Sequence, residues 1–132
     1  MKKNKQDKNK ENLIKSVNKN VRSSTRKIGF ILKAIVGKKV EHALRDLTFA
    51  NQRVCKEIMK TIQSAVANAE NNFQYDIDNL FIKEAYCGKS IIMKRFRPRA
   101  KGRASPIKKP YSKVTIILSE KLAKMEGYGA KS

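Results

Sequence analysis

Residues 89–113 read KSIIMKRFRPRAKGRASPIKKPYSK, with ten Lys or Arg and no Asp or Glu. The acid-free zone is wider, from Ala85 to Ser119, and holds all three prolines, Pro98, Pro106 and Pro110. A segment this basic repels itself, resists burial and needs polyanion beside it. The arginines at 95, 97, 99 and 103 come mostly at alternate positions, which on an extended chain lines side chains along one face. Guanidinium groups grip phosphate bidentately and stack on bases. Phe96 and Tyr111 offer rings for stacking, against the plainer reading of Tyr111 as packing at the ribbon base. Pro98 and Gly102 stiffen and turn the chain.

Working outward, the flanks are LFIKEAYC (80–87) and KVTIIL (113–118), rich in β-branched and aromatic residues and therefore strand-like. They count against a solvated loop. If they pair, the basic stretch is the end of a long hairpin. About 14 residues of strand reach roughly 45 Å, whereas a compact domain of this size has a radius of gyration of about 13 Å. The hairpin therefore projects, and since a lone two-stranded ribbon is marginal in water, something else holds it.

Upstream, residues 51–72 carry the clearest helical period, with Val54, Ile58, Ile62, Ala65, Val66, Ala69 and Phe73 on one face. A helix from Ser24, as N-cap, to Gly37, as its stop, sets Ile28, Ile31, Leu32, Ile35 and Val36 inward. A second short helix spans 40–48, with Val40, Leu44 and Leu47 inward. A short strand is expected near 17–22. Residues 1–12 read as a disordered basic arm, residues 13–119 as one domain with its hairpin at about 80–118, and residues 120–132 as a C-terminal tail. Arg22, Arg26 and Lys27 mark the start of the first helix, where exposed N–H groups favour phosphate. The alternative there is an ordinary solvated helix start.

The whole chain has 132 residues, 31 basic and 11 acidic, for a formal net charge of +20. Charge of that size favours docking on phosphate, with an anionic membrane surface as the weaker reading. No apolar run is long enough to span a bilayer, and the N-terminus lacks a signal peptide's apolar core. Cys55 and Cys87 read as reduced packing thiols in a cytoplasmic protein. Gly88-Lys89-Ser90 resembles the end of a phosphate loop, but Lys83 stands where that motif needs glycine. One histidine, His42, and two distant cysteines give no metal set. No nucleophile–base pair is evident, so neither an enzyme nor a cofactor is expected.

KRFRPRAKGRAS (94–105) followed by VTIIL (114–118) resembles the signature of the bacterial large-subunit ribosomal protein family L-twenty-two. SAVANAENNFQYDIDNLFIKEAY (64–86) and SSTRKIGFILKAIVGKKVEHAL (23–44) resemble the same family, which covers about residues 17–119. The resemblance implies an α+β fold: three helices on a small three-stranded antiparallel sheet with a long protruding basic hairpin. It implies binding to large-subunit ribosomal RNA beside neighbouring large-subunit proteins, in a cytoplasmic ribosome, with the hairpin lining the nascent-peptide exit tunnel. Met93, Lys94 and Arg95 would then border the tunnel, and Arg97, Arg99, Lys101 and Arg103 would form or flank the tip. The remaining candidate RNA contacts are Lys89, Lys108, Lys109 and Lys113. This chain departs from the family at Thr25 (usually Pro), at Ala50 (usually a Thr or Ser cap) and at Lys113 (usually His, Asp or Asn). Gly88–Ile91, GKSI, replaces an acidic–Gly–Pro run. The rival readings are a free-standing nucleic-acid-binding protein, which would share the charge and bind duplex DNA equally well, and a membrane-active cationic protein.

Overall fold

Residues 13–120 are described by the computed structural model; the arm expected over 1–12 and the tail after Glu120 lie outside them. In chain order they form β1 (Ile14–Val21), α1 (Thr25–Ile35), α2 (Val40–Phe49), α3 (Val54–Phe73), β2 (Phe81–Pro98) and β3 (Ala104–Ser119). The sheet is antiparallel in the order β1-β3-β2. This is the α+β arrangement with a long hairpin that the resemblance implied.

The helices form as their apolar spacing dictates. Ile28, Ile31, Leu32 and Ile35 of α1, Val40, Ala43 and Leu47 of α2, and Val54, Ile58, Ile62, Ala65 and Ala69 of α3 are buried. They meet one face of the sheet, where Ile14 and Val21 of β1, Ile82 of β2 and Val114, Ile116 and Leu118 of β3 join a single core. α3 lies over β1 and β3, α1 lies over β2, and α2 packs on α3. The small residues at 65 and 69 let α3 approach the sheet closely. Gly37, with φ of 82°, ends the α1 segment as expected. Its N–H donates to the Ile82 carbonyl at 2.8 Å, and Ile82 donates to Lys38 at 3.0 Å. The α1–α2 linker thereby covers the otherwise open edge of β2 at its root.

Several expectations change. β1 begins at Ile14, three residues before the strand expected near 17–22, and Val17 points outward. Its inward positions include Ser16, and a bulge falls between Asn18 and Val21. The Asn18 side-chain oxygen accepts the Asn20 N–H there at 3.3 Å, which holds the extra residue in place. Ser24 occupies the N-cap of α1, but its side chain makes no cap bond; the Ile28 N–H bonds the Ser24 carbonyl instead. α3 starts at Val54 rather than near 51, because Ala50 ends α2 and Arg53 is the cap residue. Val36 and Phe73 are exposed rather than inward. Val36 lies past the last turn of α1, and Phe73 stacks on Tyr75 with ring centroids 5.7 Å apart.

Candidate nucleic-acid interface

β2 and β3 pair from Phe81↔Ser119 at the root to Pro98↔Ala104 at the tip, well beyond the β-rich segments 80–87 and 113–118. Main-chain ladder bonds do not depend on side-chain type, so pairing continues through sequence that carries no strand signature. Every residue from Gly88 to Ala104 is exposed. At about 3.3 Å per residue, the stretch from Gly88 to Pro98 reaches roughly 33 Å past the body. The tip closes through Arg99 N–H donating to the Arg103 carbonyl at 2.7 Å. Lys101 and Gly102 both adopt positive φ, 60° and 68°. Glycine accepts this freely, whereas a lysine there is locally disfavoured.

Register sets which side chains share a face. β2 has one extra residue between Ile82 and Glu84 and another between Lys89 and Ile92. The first shift turns Ala85 and Cys87 toward the helices and sends Glu84 and Tyr86 outward. The second is a bulge at Ser90 and Ile91, inside GKSI, and it restores the original parity. Beyond it, cross-strand partners place Met93 with Lys109, Arg95 with Ile107 and Arg97 with Ser105 on one face. Lys94 with Lys108, Phe96 with Pro106 and Ile92 with Pro110 occupy the other. The Arg95–Arg97 alternation thus holds, while Met93, Lys94 and Arg95 divide between two faces. Two lysines directly opposite, Lys94 and Lys108, destabilise the isolated ribbon. No acid lies within the acid-free zone to offset them.

All thirteen expected RNA-contacting residues are exposed: ten on the hairpin and Arg22, Arg26 and Lys27 at the start of α1. The two groups are joined structurally. Ser112 Oγ donates to the Ser23 carbonyl at 2.7 Å in a buried position, and the Cys87 thiol donates to the Thr25 carbonyl at 3.3 Å. The hairpin root is therefore tied to the β1–α1 turn, which carries Arg22, and to the first residue of α1, one before Arg26. Arg53, which the sequence reading passed over, belongs to the same region: its guanidinium donates to the Arg22 carbonyl. The signal available was its place in a basic protein immediately before α3. Tyr111 is half-buried and Phe96 is 76% exposed, so of the two rings Phe96 is the more accessible.

Burial pushes both thiols, Cys55 and Cys87, above the ordinary range, which keeps them protonated and packing-like. Asp46 is held below the usual carboxylate range by its hydrogen bond from Lys38 at 2.7 Å, with the nearby charges of Lys38, Arg45 and His42 adding to it. Among the described residues no set of His, Cys, Asp and Glu could hold a metal ion. Among them, too, no helix is long and apolar enough to cross a membrane.

The sequence pattern of the family described as ribosomal protein L22p/L17e matches residues 16–119. The chain belongs to that family. Large ribosomal subunit protein uL22 of Pelagibacter ubique is 63% identical over 131 residues, covering 99% of this chain and 98% of its own length. The proteins of the same name from Bartonella henselae and Maricaulis maris are 50% and 51% identical, over 89% and 76% of this chain and 91% and 79% of their own lengths. The family match spans β1 through β3 and so takes in the hairpin and the α1 cations together.

Proposed function

We propose that this chain is a structural constituent of the large ribosomal subunit that binds large-subunit ribosomal RNA, supports its assembly and lines the nascent-peptide exit tunnel with its hairpin. The observation that carries this reading is the ribbon itself. It projects roughly 33 Å beyond the core, is exposed from Gly88 to Ala104 and contains no acid. Such an element persists only where phosphate surrounds it. The name that the relatives share, large ribosomal subunit protein, supports the same setting.

In this reading residues 13–119 act as one RNA-binding unit, flanked by the arm and the tail. The helical body is a platform. Arg22, Arg26 and Lys27 contact phosphate beside it, and Lys89, Lys94, Arg95, Arg97, Arg99, Lys101, Arg103, Lys108, Lys109 and Lys113 contact phosphate along the ribbon. Recognition by fit and phosphate contact, rather than by a base code, is what such a residue set provides. Met93, Lys94 and Arg95 border the tunnel, with Met93 and Arg95 on one face of the ribbon and Lys94 on the other. Partners are the RNA, adjacent large-subunit proteins and the nascent chain, in a cytoplasmic ribosome. The role is architectural, without a substrate or cofactor.

The test is co-sedimentation of the tagged protein with large subunits through salt washing. Retention in the large-subunit fraction supports the reading. Release on washing, together with equal affinity for duplex DNA, would instead mark a free-standing nucleic-acid-binding protein.

A further inference from the structure

Away from the hairpin tip, the body has a groove between the start of α1 and the α2–α3 loop. It is about 760 Å³ in volume, and Arg26, Lys27, Phe30, Gln52 and Arg53 line it over the buried Ile31. Phe30 is 73% exposed. It lies off the core face of α1, which Ile28, Ile31, Leu32 and Ile35 occupy, so packing of the core gives no reason for a large aromatic ring there. Three cations and no acid share the lining of this groove with it, and an acid, Asp46, belongs to the adjoining groove on its other side. Arg53 is held by its bond to the Arg22 carbonyl. A guanidinium has five N–H donors, so a tethered one still has donors left for a ligand. The size falls within the range of roughly 300–1,000 Å³ typical of small-ligand sites.

An exposed aromatic ring that shares a groove with three cations matches one chemistry closely: a flat base to stack on the ring and a phosphate to meet the cations. An apolar side chain from a neighbouring protein would use the ring but leave the charges without a partner. We infer that this groove takes a single unpaired nucleotide of the large-subunit RNA, with its base on Phe30 and its phosphate among Arg26, Lys27 and Arg53. The inference rests on the RNA-binding reading above and adds to it a stacked-base contact on the body.

The experiment uses the full chain bound to large-subunit RNA, with base-directed chemical modification of the RNA as one readout and affinity against salt as the other. Phe30→Ala is expected to weaken binding about fivefold or more and to expose one nucleotide to modification. Phe30→Tyr should preserve both affinity and protection. Arg26→Ala should reduce the slope of log affinity against log salt by about 1. If Phe30→Ala binds and protects as the unaltered chain does, while the chain keeps its steep salt dependence, the nucleotide site is wrong and the hairpin reading stands. If Phe30→Ala changes only the association of a neighbouring protein, the groove is a protein contact and the inference fails. If the unaltered chain shows no salt dependence at all, the RNA-binding reading fails and takes this inference with it.

Discussion

The body and the hairpin are built from the same sheet but held by different forces. In the body, β1, β2 and β3 are covered by three helices, and twenty apolar side chains form one buried core. Charge there is mixed, and one exposed pair, Lys38 with Asp46 at 2.7 Å, shows acid and base meeting within the chain. In the hairpin the same two strands continue with no helix above them, no acid beside them and two lysines directly opposed. Apolar burial specifies the first region. Backbone pairing alone shapes the second, so its counter-charge must come from outside. One polypeptide thus combines an anchor packed by apolar burial with a projecting ribbon whose charge no acid along it offsets.

Ile58→Ala tests this contrast with the largest effect. Ile58 is fully buried in α3, and its truncation should cost about 2–5 kcal/mol in denaturant unfolding. Ile92→Ala, on the ribbon and 40% exposed, should change stability by no more than about 0.5 kcal/mol. Equal losses at both sites would erase the distinction. Next, replacing Arg95, Arg97, Arg99 and Arg103 together by Ala should weaken binding to large-subunit RNA by more than about tenfold, or roughly 1.4 kcal/mol, in a filter-binding or fluorescence titration. The melting temperature should not fall, because these side chains bury nothing.

A smaller effect sharpens the body side. Gly29 lies in the middle of α1, and a Cβ added there would meet Cys87 Sγ at 3.8 Å, an ordinary contact. Gly29→Ala should therefore stabilise the fold by about 0.5–1 kcal/mol, read as a higher denaturation midpoint. The smallest effect concerns Asp46. Its folded-state pKa is lowered, so its contribution is present above the usual carboxylate range and vanishes as pH falls through the lowered value. Because the pair is exposed, Asp46→Asn should produce only a slight fall in melting temperature near neutral pH and none in strong acid.

Much of this was legible in the sequence, for physical reasons that can be named residue by residue. The α3 stripe from Val54 to Ala69 could be read because burial and helical period coincide, and the hairpin because acid-free charge sits between two β-rich flanks. β1 was blurred because Ser16 faces inward, Val17 faces outward and the bulge after Asn18 breaks the alternation. The pairing of residues 88–98 with 104–113 left no side-chain pattern beyond the alternate arginines, since residues 88–98 are exposed on both faces. The division of Met93, Lys94 and Arg95 between faces depends on two register shifts that only the ladder reveals. Arg53 and Phe30 became visible as neighbours only when the α2–α3 loop came against the start of α1.

The most direct test of the central claim, that phosphate supplies the counter-charge the hairpin lacks, is the salt dependence of binding between the full chain and large-subunit RNA. With about six phosphate contacts, the slope of log affinity against log salt should be roughly −4 to −5. A slope near zero would contradict it.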